Sequence, residues 1–401
     1  MKTDVLLTYG WVRSTYAALK NLAFHNLKVV VSDTNNIGMC QWSKYAYSFF
    51  KYESPFRDER KFIDSLKLII EKCSPRLLLP SHEEILIIAK YIKEFPENVI
   101  IPISSYEKLE LANDKYKSQK FAENIGINVP KQIEYQDLKH LKQLLIENKN
   151  ICRWVVKLRR SNSAKGVFYP KNNNEVIELV KWVISKYNLP DNRKPLVQEF
   201  VDGNGWGVSC LYYHGELIAS FTHKRLREKI QTGGTSTFRE HKPNAVIEEM
   251  AYKLLASLKW HGLAMVEFKF NQKDNKAWFI EINPRLWGSI HLAIEAGVEF
   301  PYLLYLAEVN SIESAKKYIS QKKVKYPFTA RWYLGDCILA ISNLLKGKIF
   351  NAFKLILPGK ADTYDDFDIK DIKAFLGEIF YYLFTFLKKR KINPEEDGML
   401  G

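Results

Sequence analysis

The chain has 401 residues, 46% of them hydrophobic, a length that exceeds one compact core and implies two or three domains. With 26% charged and 13% aromatic residues it has enough apolar surface to offset the entropy of ordering, which excludes a disordered chain. Sixty Lys plus Arg against 45 Asp plus Glu leave a net charge of +15, which suits phosphate-bearing small molecules, acidic lipid headgroups or nucleic acid and does not choose among them.

Taken in chain order, residues 4–9 read as a buried strand, 14–24 as a helix and 27–32 as a second strand ending at Asp33, a βαβ opening. A helix near 60–72, a strand at 76–79, a helix at 83–90 and a short strand at 99–101 complete an open α/β domain over residues 1–112. The turn after the first strand has only Gly10, so the three-glycine dinucleotide fingerprint is missing and an NAD-binding reading is weak. From Asn113 the texture changes, and strands at 154–158, 196–201, 207–213, 217–221, 262–270 and 277–282 follow in hairpin-like succession, implying antiparallel sheet. Beyond residue 310 the chain turns helical, with basic amphipathic pieces at 338–357 and 374–391 separated by the acidic patch 362–371. The five cysteines are scattered without a C-x-x-C pair, so neither a disulfide framework nor a zinc knuckle is expected, and a reducing cytoplasm fits. No signal peptide is expected from residues 1–7, and the longest apolar stretch, 374–387, falls short of the roughly 20 residues of a membrane-spanning helix.

Two apolar strands joined by the polar turn 271–276 carry the most specific chemistry: Val266-Glu267-Phe268 and Phe279-Ile280-Glu281-Ile282-Asn283-Pro284-Arg285. Alternation puts Glu281 and Asn283 on one face with Ile280 and Ile282 in the core, and a hairpin centred on Asp274 sets Glu267 opposite Glu281. Like charges facing each other across a sheet are destabilising, and a divalent cation between them resolves the conflict. Two carboxylates and an amide oxygen are hard ligands of the kind Mg²⁺ shares with substrate phosphates. Trp154-Val155-Val156-Lys157 is a strand that ends in a cation and runs into the loop Arg159 to Gly166, which offers backbone amides, hydroxyls and ammonium groups to phosphate. Leu196-Val197-Gln198-Glu199-Phe200-Val201-Asp202-Gly203 is an apolar strand meeting a glycine turn, able to line a purine slot with the backbone of Glu199 and Val201.

Asp114-Lys115, Val155-Val156-Lys157, Gln198-Glu199-Phe200-Val201, Val266-Glu267-Phe268 and Glu281-Ile282-Asn283-Pro284-Arg285 stand in the order and approximate spacing of the ATP-grasp superfamily, which the chain resembles over residues 1–310. Residues 281–301 resemble more narrowly the group allied to carbamoyl phosphate synthase and amino-acid ligases. The resemblance implies an α/β and α+β architecture: a pre-ATP-grasp α/β domain at 1–112, an ATP-grasp domain at 113–310 and a helical extension at 311–401. The grasp domain would divide into a small lobe with the hinge, 113–200, and a metal-binding lobe, 201–310. Lys115 and Lys157 would then hold ATP phosphates, Ser163 and Gly166 would belong to a cover over them, and Glu199 and Val201 would form the adenine hinge. Asn204 would replace the ribose-binding Glu of relatives, whose position is taken by Trp206. Glu267, Glu281 and Asn283 would hold Mg²⁺, or Mn²⁺ in its place, and Arg285 with Lys157 would neutralise the transferred phosphoryl group.

The implied activity is an ADP-forming carboxylate–amine ligase that activates a small carboxylate as an acyl phosphate for capture by an amine, less readily a thiol. The alternative is a noncatalytic nucleotide- or polyanion-binding protein, suggested by the +15 charge and the run Lys388-Lys389-Arg390-Lys391. For the second substrate the candidates are His223-Lys224-Arg225, the loop 231–236 with Gly233 and Gly234, and Ser289, while His82 and His291 read as structural. No nucleic-acid module is recognisable, and a homodimer is the ordinary expectation. The aromatic stretch 374–387 with its basic end either packs on the enzyme body, the favoured reading, or rests on an anionic membrane.

Overall fold

The structure, a computed structural model, describes residues 2–161, 165–228, 235–357, 359 and 361–389. Val5, Leu6 and Leu7 of β1 (Thr3–Leu7) are wholly buried, as are Val29, Val30 and Val31 of β2 (Val29–Asp33), because helices cover both faces of the parallel sheet they share with β3 (Ser48–Lys51) and β4 (Pro75–Leu79). The strand order is β3-β2-β1-β4, with Leu7 paired to both Val31 and Leu79, so the loops after β1 and β4 emerge side by side at one edge. The strand expected at 99–101 is reduced to a single bridge between Leu77 and Ile100.

A second, four-stranded antiparallel sheet has the order β5-β8-β6-β7, from β5 (Gln132–Ile133), β6 (Trp154–Lys157), β7 (Val167–Phe168) and β8 (Leu196–Glu199). The third sheet has seven strands in the order β13-β12-β9-β10-β11-β14-β15. Its hairpin-connected centre is β9 (Asn204–Tyr213), β10 (Glu216–Glu228) and β11 (Ser236–His241), with β12 (Gly262–Asn271) and β13 (Lys276–Asn283) on one side. The mixed α/β architecture with a mainly helical C-terminal region follows the expectation. The sheet does not stop at residue 310, however, since β14 (Thr329–Arg331) pairs with β11 and β15 (Thr363–Tyr364) pairs with β14.

One apolar cluster spans the chain from Val5 to Ala374, joining the parallel sheet to Leu211, Phe221 and Leu263 of the large sheet through Trp287, Leu292 and Phe300. The N-terminal domain is thereby seated on the large sheet over a continuous core. The acidic patch at 362–371 is no solvated linker, because its carboxylates anchor the extension. Asp365 pairs with Arg239, both buried; Asp366 accepts from the Tyr333 and Leu334 amides at 2.9 and 2.7 Å; and Asp371 accepts from Tyr16 Oη at 3.2 Å and Ser43 Oγ at 2.5 Å.

The amphipathic piece expected at 338–357 is two helices, Tyr333–Leu345 and Ile349–Ile356, broken at Gly347, whose φ of +72° is the left-handed conformation glycine adopts without strain. The last helix, Ile372–Lys389, buries Ala374, Glu378, Tyr381 and Thr385, a stripe at helical spacing, so this face packs on the body, but Leu376, Phe380, Leu383 and Phe384, which the favoured reading also packed there, stand exposed. Tyr381 stacks on Trp11 with ring centroids 4.4 Å apart. Gly377 makes the close approach possible, because a Cβ there would sit 2.3 Å from the carbonyl oxygen of Gly38.

In a solvated helix, Gly→Ala stabilises by about 1 kcal/mol; here Gly377→Ala is expected to have the opposite sign, destabilising by about 1–3 kcal/mol through overpacking. Urea unfolding measures it. A variant with a midpoint above wild type would mean that the helix does not rest on Gly38.

Candidate active site

A cavity of about 470 Å³ lies between the small sheet, the large sheet, the N-terminal loops and the C-terminal helix. From the small sheet it receives Val155, Lys157 and Val167; from the large sheet Met265, Glu267, Lys269, Ile280, Glu281 and Asn283. Glu267 and Glu281 are direct cross-strand partners, as the hairpin register predicts. Phe268 pairs with Phe279, so Ile280 is the extra residue of a bulge in β13. That bulge corrects one expectation: Ile282 is buried in the core, but Ile280 turns to the cavity beside Glu281.

The two carboxylates are shared among cations and one amide. Asn283 Nδ2 donates to Glu267 Oε1 at 3.1 Å and to Glu281 Oε1 at 3.4 Å. Arg225 reaches Glu267 Oε1 at 2.6 Å and Lys115 Nζ lies 3.2 Å from Glu281 Oε2. Burial, aided by the neighbouring Glu281, pushes the Glu267 carboxyl above the usual range despite Arg225. Burial also works against the Glu281 charge, but Lys115, Arg225 and Lys157 outweigh it and hold its pKa below the ordinary value. Burial lowers the Lys157 ammonium to about 8, with Lys115 and Lys269 acting in the same direction and Glu281 opposing them. Arg285 is buried and held by Glu83 Oε1 at 3.0 Å, while its Nη2 donates to Asn283 Oδ1 at 3.3 Å. The guanidinium and the amide are thus locked together.

At the end of β8, Glu199 N donates to Lys131 O at 2.8 Å and Phe200 N to Arg153 O at 2.9 Å, while the Glu199 carboxylate accepts from Lys131 N at 2.9 Å. The side chain is tied to the strand flank, and Glu199, Val201, Asp202 and Gly203 line the cavity. Asn204 is exposed and falls outside that lining, and Trp206 is a fully buried core residue. Strand alternation explains both, since Gly203 and Gly205 are the ones on the cavity side. Gly166, at φ +72°, accepts from Leu158 N at 2.8 Å and would drive a Cβ into the Leu158 side chain, so it shapes the turn whose neighbours Lys165 and Val167 face the cavity. Ser163, Gly233 and Gly234 lie outside the described residues.

Arg225 and Ser289 both line the cavity. His223 is buried below them, its Nε2 3.2 Å from Ser289 Oγ, and burial beside Arg225 and Arg239 drives its pKa well below the ordinary value, so it orients Ser289 as a neutral ring. The far end of the cavity went unseen in the sequence apart from His82, which reads there as structural: it is built from Tyr9, Trp11, Arg13, His82, Trp332, Glu378 and Tyr382. His82 stacks on Tyr9 at 4.5 Å and is kept neutral by burial and by Arg285 and Lys165. Arg13 lies 3.9 Å over the Trp332 ring and donates to Gly288 O at 2.9 Å. Burial and the neighbouring Asp366 raise the Glu378 pKa well above the carboxylate range, and Trp332 Nε1 donates to its Oε1 at 3.1 Å. No short motif links these four segments; the lone signal was a glycine turn at the end of a first parallel strand, followed by Trp11 and Arg13.

Residues 112–289 match the family model described as an ATP-grasp domain. This region is an ATP-grasp domain. The fold is similar to that of N5-carboxyaminoimidazole synthetase from Staphylococcus aureus, with a TM-score of 0.63 at 15% identity over 86% of each chain. It is similar also to L-amino acid ligase from Bacillus licheniformis, with a TM-score of 0.62 at 15% identity over 81% of this chain and 78% of that one. In sequence, the chain is 24% identical over 216 residues to carbamoyl-phosphate synthase of Methanobrevibacter smithii, covering 51% of this chain and 55% of that protein. The chain spans about half the length of the curated relatives it matches. Within the ATP-grasp domain, the cavity side of the β12–β13 hairpin and the end of β6 hold the charged groups; the aromatic far end comes from segments outside the matched residues or at their edge.

The lowered Lys157 pKa has a consequence for stability. The unfolded chain binds that proton more readily than the folded one, so stability rises with pH between about 8 and the ordinary 10.5. Lys157→Met is therefore expected to be more stable than wild type near neutral pH, on the order of 2 kcal/mol, and the gap should close as pH approaches 10. Urea unfolding of both proteins at the two pH values checks this. A gap independent of pH would show that Glu281 fully compensates the buried ammonium.

Proposed function

We propose that the chain is an ATP- and Mg²⁺-dependent ligase that activates a substrate carboxylate as an acyl phosphate and joins it to an amine. The observation that carries this reading is the facing pair Glu267 and Glu281 with Asn283 between them, set in one cavity with Lys115, Lys157, Arg225 and Arg285. Two acidic groups held opposite each other are a poor design for a simple polyanion binder, because each repels phosphate. They suit a cation that arrives with the nucleotide. The two carboxylates are hard donors that fit Mg²⁺, and the Asn283 oxygen, which accepts from Arg285 while Nδ2 faces the carboxylates, would join them on a turn of the amide.

Glu267, Glu281 and Asn283 would hold Mg²⁺, which supplies charge neutralisation on the transferring phosphoryl oxygens. The purine would lie at the hinge formed by Glu199 and Val201, and Lys115 and Lys157 would take the phosphates. A carboxylate oxygen of the substrate bonds to the γ-phosphorus as the bond to the β–γ bridging oxygen breaks and ADP leaves. Arg285, locked by Glu83 and Asn283, would meet the transferred group with a guanidinium already oriented, so little reorganisation accompanies the charge shift. The amine nitrogen then bonds to the acyl carbon, the carbon–oxygen bond to phosphate breaks, and the ammonium proton departs with the phosphate. The protein supplies alignment and cations, and no covalent nucleophile is needed.

The second substrate would occupy the far end, where Trp11, Trp332 and Tyr382 offer flat apolar surface and Arg13 an anchoring cation. The L-amino acid ligase likeness makes amino acids the first compounds to try as carboxylate and amine. ADP release and product mass over such a panel test the assignment directly.

Glu281→Gln should lower ATP-dependent turnover more than tenfold, roughly 1.4 kcal/mol of barrier, with the thermal midpoint preserved. A folded variant that keeps most of its rate would remove the metal assignment. Trp11→Leu should raise KM for the second substrate about tenfold and leave KM for ATP within about a factor of two, as expected for a residue that binds only at the far end. Equal effects on both substrates would place Trp11 in general packing instead.

A further inference from the structure

Sixteen of the twenty-four large apolar side chains that stand exposed among the described residues lie between Ile341 and Leu387. The densest group is on the helical hairpin Tyr333–Leu345 and Ile349–Ile356, where Leu345 is 85% exposed, Phe350 72%, Phe353 60% and Leu357 62%. The inside of this hairpin is made of small contacts, with Ala340, Ala352 and Leu355 buried against one another. A helical pair stable in water puts its large apolar residues inward; this one carries alanines inward and phenylalanines outward. Nothing in the proposed reaction uses this face.

Its charge says what it meets. Between Cys337 and Lys360 the sequence has four lysines and no acidic residue. Lys346, Lys348 and Lys354 are exposed among the apolar side chains, and Lys354 Nζ lies 4.4 Å from the centre of the Phe350 ring. A second copy of the chain is a poor occupant, because a twofold contact would bring these lysines against one another without a counter-charge. An anionic bilayer surface satisfies both features: aromatic and aliphatic side chains enter the headgroup boundary while ammonium groups stay level with lipid phosphates. No single helix among the described residues is long and apolar enough to cross a membrane, so contact would be from one side.

We propose that the hairpin formed by Tyr333–Leu345 and Ile349–Ile356 docks the protein on a bilayer containing anionic lipid. The surface proposed is thus the preceding hairpin and not 374–391, for which the sequence offered membrane contact as the alternative to packing; the helix Ile372–Lys389 uses one face to close the cavity.

The test is co-sedimentation of the full chain with vesicles of phosphatidylcholine alone and of equimolar phosphatidylcholine and phosphatidylglycerol. At low salt the protein should pellet with the mixed vesicles and partition about a hundredfold more weakly to neutral ones, the product of roughly fivefold for each of three lysines. Leu345→Ser/Phe350→Ser/Phe353→Ser and Lys346→Glu/Lys348→Glu/Lys354→Glu should both stay in the supernatant, with unchanged thermal midpoints. Should one variant fail to fold, the other still decides. The proposal is overturned if wild type remains in the supernatant at low salt, or if the serine variant pellets as wild type does. It is overturned equally if wild type is a dimer that the serine variant converts to a monomer while neither binds vesicles.

Discussion

The placement of Glu267 against Glu281 is the constraint on which the rest of the site depends. Two carboxylates on neighbouring strands, mostly removed from water, repel each other and lose hydration together. The chain answers with Arg225 on one side and Lys115 on the other, and with the Asn283 amide between. Each of those partners is itself held: Lys115 by Ser161 O at 2.7 Å, Asn283 by Arg285, and Arg285 by Glu83 from the N-terminal domain. A local electrostatic conflict is therefore distributed over three parts of the chain, and its resolution ties the domains to one geometry.

That geometry rests on a core that ignores domain boundaries. Leu7 and Val31 of the parallel sheet share a cluster with Leu263 of the large sheet and with Phe300, so the loops after β1 and β4 reach the cavity on a rigid support. Buried carboxylates do the same for the extension, Asp371 fastening it to Tyr16 and Ser43 and Asp365 to Arg239.

The parts of the site that could be read from the sequence were those in which chemistry sits on regular strands. Alternation and a short polar turn were enough to set Glu267 opposite Glu281, since side-chain direction in a hairpin follows from counting residues. The count failed at Ile280, where a bulge adds one residue that no local signal announced. It also could not tell which side of β9 Asn204 and Trp206 would take. The far end was illegible for a different reason: Tyr9, Trp11, His82, Trp332, Glu378 and Tyr382 meet only through tertiary packing, from segments more than 350 residues apart in sequence. Composition likewise showed an aromatic, basic C-terminus, but burial alone separated the face of the last helix that closes the cavity from the faces that remain outside.

The extension's two strands, β14 and β15, prolong the large sheet at the edge opposite the β12–β13 hairpin. Trp332, which follows β14 directly, and the Glu267–Glu281 pair consequently hang from opposite margins of one sheet, with β9, β10 and β11 between them. A substitution at Trp332 therefore acts three strands away from the β12–β13 register. The sheet acts as a spine that carries the acidic hairpin at one margin and the Trp332 wall of the cavity at the other.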